Sequence, residues 1–186
     1  MNEGLIPRRY AKALYKVAVE RGDAQTLYGL MTRLHMVSDA ESSLNAAVAN
    51  PFLSVKDKCD LIKTAAGDGA DNATFVDFLK LLADNKRLDI IFAVARDYAA
   101  LYRSERNIYK VDVVSASPLT QSDEDRLKSI IEKNLNGGTM EYSSSVNPDL
   151  IGGFTVTIDN RRLDASVRNE LKQLRVNLLK YLIISL

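Results

Sequence analysis

NPDLIGGFTVTIDNRRLDASVRNEL, residues 147–171, decides how this chain is read. In FTVTI, Phe154, Val156 and Ile158 alternate with Thr155 and Thr157, the pattern of a half-buried strand. Asp159-Asn160 follows as a hairpin turn, with a short strand after it. A helix is expected to start near Asp164. Val167, Leu171, Leu174 and Leu178 then recur at helical spacing, and this stripe is expected to pack on the small sheet. Gly152 and Gly153 open the first strand, where paired glycines permit a bulge or a close backbone approach that a Cβ would block. A phosphate loop is excluded: there is no G-x-G-x-x-G, no Lys-Ser/Thr follows, and the next element is a strand. Asp164 reads as a helix N-cap, a feature worth about 0.5–2 kcal/mol. Ser166 stands beside it, and no histidine lies nearby to make acid–base chemistry of the pair.

Working upstream, TMEYSSSVN reads as a strand, and Gly137-Gly138 ends a helix before it. That helix opens at Thr120, with Asp123 in the place of a capping-box Glu. YKVDVVSA, residues 109–116, is β-rich and reads as a strand. The result is a strand–helix–strand–strand–helix module of roughly 80 residues, at the lower end of what folds alone. The composition changes near Asn107. The sequence therefore predicts an α+β chain of two domains: a six-helix bundle over residues 1–105 and a small α/β module over residues 106–186.

The first of these reads as helices throughout. Pro7 sits in a first turn, where helices tolerate it. Helix one runs to about Arg21, and Gly22 is its C-cap. Asp23 is the expected cap of helix two, which runs to about Ala40. A short third helix covers residues 41–49. Ser54 caps a fourth that runs to about Ala66. The fifth spans residues 73–84, and the sixth runs from Leu88 to about Arg103. Leu88, Ile91, Ala95, Tyr98 and Tyr102 form one continuous face of helix six. Connections of a few residues imply antiparallel neighbours.

Helices one and five carry more apolar surface than one core contact needs, which is an arc of about 100°. On helix one, Ile6, Tyr10, Ala13, Leu14 and Val17 form one stripe, and Ala11, Tyr15 and Ala18 form a second. On helix five, Phe75, Phe78, Leu79, Leu81 and Leu82 leave only Asp77, Lys80 and Asp84 polar. Either both stripes are buried inside the bundle, or one stripe of each helix lines a groove for a partner's amphipathic helix. Periodicity does not separate these alternatives. The apolar tail, with Leu179, Tyr181, Leu182, Ile183, Ile184 and Leu186, raises the same choice between folding back and meeting a partner.

Several function classes are excluded by composition. Residues 1–105 carry 14 Lys/Arg against 14 Asp/Glu, and the remainder 11 against 10, so neither half has a nucleic-acid footprint. An RNA-binding helical regulator is the alternative reading, and this balance argues against it. One cysteine, Cys59, permits no intrachain disulfide and has no His/Asp constellation beside it. With His35 as the single histidine, the usual Cys/His zinc site cannot be assembled, and no cofactor is expected. MNEGLIPRRYAKAL has neither a signal-peptide core nor transit-peptide character, which is taken to favour a bacterial protein. The longest apolar run is LLKYLIISL, nine residues interrupted by Lys180, against about 20 needed to span a bilayer.

Four stretches together resemble the delta subunit of F-type ATP synthases, the family that includes the oligomycin-sensitivity-conferring protein. They are RRYAKALYKVAVERG (8–22), LLADNKRLDIIFAVARDY (81–98), VDVVSASPLT, and the 147–171 segment. One departure is Ala165, where the family usually has glycine in Asp-Gly-Ser. If that position needed positive φ, alanine would be strained. The resemblance implies a non-catalytic stator subunit of the peripheral stalk, coupling proton-driven rotation to ATP synthesis. It implies that the first domain binds the N-terminal helix of the alpha subunit of the catalytic head, in a groove between helices one and five. This raises Tyr10, Leu14, Val17, Phe75, Leu79 and Leu82 as groove residues. The second domain, with Gly152, Gly153, Asp164 and Ser166 in its signature, is implied to meet the b-type stalk subunit. The expected location is the cytoplasmic face of the bacterial inner membrane, with the membrane met only through the complex.

Overall fold

The computed structural model describes residues 5–135 and 137–184, with side chains as far as residue 176. The fold is α+β, and its contacts divide it into two compact units, Met1–Glu105 and Arg106–Leu186.

Six helices precede the first strand: α1 (Leu5–Arg21), α2 (Ala24–Ala40), α3 (Ser42–Ala49), α4 (Val55–Ala66), α5 (Ala73–Asp84) and α6 (Ile91–Arg106). Their ends follow local chemistry. Gly22 ends α1 at φ +75°, a conformation open to glycine without a Cβ penalty. Ser54 Oγ accepts from the Asp57 amide at 3.1 Å at the start of α4, and Asn72 Oδ1 accepts from the Phe75 amide at 3.0 Å at the start of α5. A 3-10 turn, Leu88–Ile90, leads into α6, so the face read as one helix begins as a tighter turn.

Asp23 departs from its expected role. It stands at the N-cap position of α2 but makes no side-chain cap bond there. Its Oδ2 instead accepts from Thr74 Oγ1 at 2.6 Å and from Asn72 Nδ2 at 3.1 Å, tying the α1–α2 corner to the start of α5. These partners lie about 50 positions away in the chain, so local sequence does not announce them.

Most of the core of this unit comes from α2, α5 and α6, with Leu27, Met31, Leu34, Phe75, Leu79, Leu82, Ile91, Val94 and Tyr98 fully buried, and α1, α3 and α4 add Leu14, Val48 and Ile62. Tyr98 donates its hydroxyl to the Ala24 carbonyl at 3.1 Å, giving the buried phenol the partner it needs. Tyr15 meets the rings of Tyr98 and Tyr102 edge-on, and Tyr28 stacks on Tyr102 at 4.4 Å.

The second unit contains β1 (Ile108–Ser115), α7 (Gln121–Asn134), β2 (Thr139–Val146), β3 (Gly153–Ile158), β4 (Arg161–Ser166) and α8 (Val167–Ile184). The strands form one sheet in the order β2-β1-β3-β4. β1 and β2 are parallel and joined through α7, while β3 runs antiparallel to both β1 and β4. Thr120 caps α7 by accepting from the Asp123 amide at 3.3 Å. Val111, Val113 and Val156 alternate onto the sheet face that packs against Ile131 and Leu135 of α7.

The short strand expected after the hairpin is β4, pairing residue for residue with β3 through Ser166. Two expectations change here. Asp164 is therefore a strand residue opposite Thr155, and α8 starts at Val167 rather than near Asp164. The stripe of α8 does not pack on the sheet: Val167, Leu171 and Leu174 are exposed. The side chains of Leu178 and of the apolar tail lie outside the described residues.

Candidate functional site

The structure sorts the six candidate groove residues into two groups. On α1, Pro7, Ala11, Leu14 and Ala18 form the buried face, and Leu14 is 4% exposed. On α5, Phe75, Leu79 and Leu82 are equally buried. These four candidates, Leu14, Phe75, Leu79 and Leu82, are core residues and leave no surface for a partner. Tyr10 is half-buried, and Val17 is 37% exposed. The division follows from helix geometry. At 100° per residue, Ile6, Tyr10, Ala13 and Val17 share one direction, displaced by about 100° from Leu14 and its companions. The stripe read as a single band from sequence is cut by this angle.

This outward stripe runs beside α5. The Tyr10 ring meets Phe78 edge-on at 6.3 Å between centroids. At the other end, Arg21 Nη1 donates to Asp77 Oδ2 at 3.0 Å and to Thr74 Oγ1 at 3.2 Å. Leu81, one turn beyond Asp77, is 48% exposed. The surface is thus an apolar strip with a charged pair closing one end. Sequence reading missed Leu81 as the exposed member of α5, because its neighbours on the apolar face are all buried.

The signature residues of the second unit act on each other. Ser166 Oγ accepts from the Asn169 amide at 3.2 Å, so Ser166 is the residue that caps α8. Asp164 Oδ1 accepts from both the hydroxyl and the amide of Ser166, at 2.6 and 3.1 Å. These bonds hold the Asp164 carboxyl below its ordinary pKa, the Ser166 hydroxyl contributing most. Gly153 has φ +73°, and a Cβ there would run into the Ala165 carbonyl oxygen. A Cβ on Gly152 would come within 2.8 Å of Val167 Cγ2. The two glycines therefore let β3 start directly under the β4–α8 corner. Ala165 is absent from the positive-φ residues and pairs with Phe154 as ordinary strand, so alanine is unstrained there.

A second opening lies between α7 and the β3–β4 hairpin, a groove of about 850 Å³ lined by Leu127, Ile130, Phe154, Ile158 and Leu163 among others. Its walls are mostly apolar, with Asn134, Asp159, Asn160, Arg161 and Arg162 also lining it.

No arrangement for chemistry accompanies these surfaces. Burial and the Asp60 carboxylate push the Cys59 thiol up, away from the thiolate that a nucleophile requires. His35 Nδ1 lies 3.5 Å from Asp39 on the same helix. Among the described residues there is no group of three or more His, Cys, Asp or Glu side chains able to hold a metal, and no helix is long and apolar enough to cross a membrane.

Comparison with known proteins agrees with an assembly role. The family model described as "ATP synthase delta (OSCP) subunit" matches residues 6–178. ATP synthase subunit delta of Parabacteroides distasonis is 34% identical over 180 residues, covering 97% of this chain and 99% of the relative. The subunit of the same name from Erythrobacter litoralis is 34% identical, covering 89% of this chain and 90% of its own. Among solved structures, a chain of the mitochondrial ATP synthase hexamer of Toxoplasma gondii superposes with a TM-score of 0.71 at 22% identity, covering 93% of this chain and 97% of that one, a likeness of fold. Matched over nearly its whole length, this chain belongs to the ATP synthase delta (OSCP) subunit family.

Proposed function

We propose that the chain is the stator subunit that ties the catalytic head of an F-type ATP synthase to its peripheral stalk, and that its two units, residues 1–105 and 106–186, are the two domains of that tether. The six-helix unit binds the N-terminal helix of the alpha subunit, and the α/β unit binds the b-type stalk subunit. The complex sits at the cytoplasmic face of a bacterial inner membrane, and this subunit meets the membrane only through its partners. The protein performs no catalysis of its own. Rotation loads the head with torque, and a non-covalent tether of helix-in-groove contacts can resist that load.

The observation that carries this reading is the outward stripe of α1. Ile6, Tyr10, Ala13 and Val17 lie outside the core and run beside α5, where Tyr10 meets Phe78 and Leu81 is exposed. An apolar strip of three turns is the footprint that the i, i+4, i+7 anchors of an amphipathic helix require. Arg21 and Asp77 at its end satisfy one another, so affinity rests on apolar anchors rather than rim charge. An RNA-binding role finds no support in the balanced charge of either unit.

The test is a calorimetric titration with a peptide of the first ~20 residues of the alpha subunit from the same organism, about five helical turns. Binding that is nearly independent of salt and has a negative heat-capacity change is expected. A folded protein that ignores the peptide would remove the α1–α5 surface from the proposal.

A further inference from the structure

β2 is an outer strand of the sheet, with β1 as its one neighbour. Two bonds at its ends show which of its backbone groups are left over. In a parallel ladder, alternate residues turn both N–H and C=O toward the neighbouring strand. The Thr139 amide donates to the Asn107 carbonyl at 3.1 Å, and the Asn147 amide donates to the Ser115 carbonyl at 2.8 Å. The odd-numbered residues of β2 therefore bond to β1, in the register that pairs Thr139 with Ile108 and Val146 with Ser115. Met140, Tyr142, Ser144 and Val146 turn their N–H and C=O groups away from it. Residues 143–146 are exposed. Strand edges are normally guarded by charge, proline or a bulge. β4, the other outer strand, carries Arg161, Arg162 and Asp164, and α8 touches it. β2 reads TMEYSSSV, with no proline, lysine or arginine and with Glu141 as its one charge. Its register with β1 runs unbroken from end to end, so no bulge interrupts it.

We propose that the free edge of β2 pairs with β2 of a second copy of this chain, antiparallel and centred on Ser143. Self-complementarity selects this occupant. In an antiparallel ladder, pairs that exchange two hydrogen bonds alternate with pairs that exchange none. Centring on Ser143 sets Met140 opposite Val146 and Tyr142 opposite Ser144, in both directions. Every outward N–H and C=O of the strand is then used. A shift of one residue sets outward groups against inward ones, and a shift of two pushes an end residue past the opposing strand. The side chains agree with the same register. Even-numbered residues lie on the α7 side, where Met140 and Tyr142 pack against the core around Val111 and Val113. Met140 thus meets the exposed Val146 as an apolar pair, and Tyr142 meets Ser144. On the other face Glu141 meets Ser145, so no like charges are opposed, and the two Ser143 hydroxyls face each other. The arrangement is that of a two-fold dimer. One strand pair buries less than the ~1,200 Å² of a standard interface, so the dimer is weak and forms at high concentration.

The experiment uses the full chain carrying Cys59→Ser, sedimented at concentrations from roughly 10 μM to 1 mM, a range that brackets a weak Kd. A monomer–dimer equilibrium is expected. Hydrogen exchange at the Met140, Tyr142, Ser144 and Val146 amides should slow as concentration rises, while the amides of Glu141, Ser143 and Ser145, already bonded to β1, should change little. Ser144→Pro removes an outward N–H and no bond to β1, a change that an edge strand tolerates. It should weaken the dimer by about tenfold or more, since each of the two copies loses a bond. Ser143→Cys should cross-link to its own copy under mild oxidation, because a pair without hydrogen bonds sets its Cα atoms about 4.5 Å apart, within disulfide reach. Ser145→Cys, opposite Glu141, should not. If Ser144→Pro lowers the melting temperature, the two cysteine variants decide. A monomeric mass at the top of the range would overturn the proposal. So would self-association that survives Ser144→Pro in a folded chain, or that cross-links Ser145→Cys as fast as Ser143→Cys, since either places the contact on another surface. Protection of the outward amides that comes only with an added peptide of the b-type stalk subunit would give the edge to that chain, and this too would overturn the proposal.

Discussion

Asp164 holds Ser166 by two bonds to one oxygen, and Ser166 in turn caps α8. The carboxylate acts on the helix through the serine. Because its pKa lies below the ordinary carboxylate value, these bonds contribute fully above the unfolded pKa of about 3.9 and are lost as pH falls through the depressed folded value. The protection factor of the Asn169 amide, its exchange relative to an unstructured amide at the same pH, should therefore fall below about pH 4. Asp164→Asn should remove that pH step. Ser166→Ala should cost about 0.5–2 kcal/mol, the usual loss for a cap. A protection factor at Asn169 that stays constant through this pH range in the unmodified protein would sink this account.

Leu14 and Val17 are three residues apart on α1 yet face different worlds. Leu14→Ala should destabilise the helical unit by about 2–5 kcal/mol, measured by thermal or urea unfolding. Val17→Asp should leave unfolding within about 0.5 kcal/mol of the unmodified protein. The same substitution should weaken the alpha-subunit peptide by about tenfold or more. Leu14→Asp is not a usable probe of the groove, because a charge at that site strikes the core first.

Gly153 and Ala165 invert the expectation drawn from family habit. Gly153→Ala places a Cβ against the Ala165 carbonyl at positive φ, and the loss should exceed about 1 kcal/mol. Ala165→Gly restores the residue usual in the family but relaxes an ordinary strand position, so it should lower stability by roughly 0.5–1 kcal/mol. A stabilised Ala165→Gly variant would show that the corner is strained after all.

Tyr98 should be the last tyrosine to ionise in an alkaline titration followed by ultraviolet absorbance. Burial raises its pKa most, and Asp23, Tyr15 and Tyr102 add to the effect. The sign follows: the neutral phenol contributes stability below the unfolded pKa of about 10, and this is lost as pH rises beyond it. Tyr98→Phe should cost about 0.5–1.5 kcal/mol through the lost bond to Ala24.

Much of the fold is legible because its signals are local. Asn72 and Ser54 announce their helices through bonds three residues away, and Leu88, Ile91, Ala95, Tyr98 and Tyr102 share a face that is buried throughout. What the sequence hides is set at a distance. Asp23 abandons its cap for Thr74, which no local pattern shows. The short strand expected after the hairpin is β4, but the polar run from Arg161 to Ser166 does not show how far it extends, and only pairing with β3 carries it to Ser166. Among the candidate groove residues, periodicity grouped Leu14 with Tyr10 and Val17 on one stripe and missed the angle that buries Leu14 and exposes Val17. That angle depends on where α2, α5 and α6 place the core.

The central position of β1 has a consequence for synthesis. It leaves the ribosome before both of its neighbours, β2 and β3. Its second partner is complete only at Ile158, 43 residues after Ser115 (158 − 115). At about 5–20 residues per second, the nascent strand waits roughly 2–9 seconds with at least one edge open. Val111, Val113 and Val114 are meanwhile uncovered on a segment built to pair. Slowed translation between Ala116 and Ile158 should thus be the period when this subunit is most prone to join a second nascent copy.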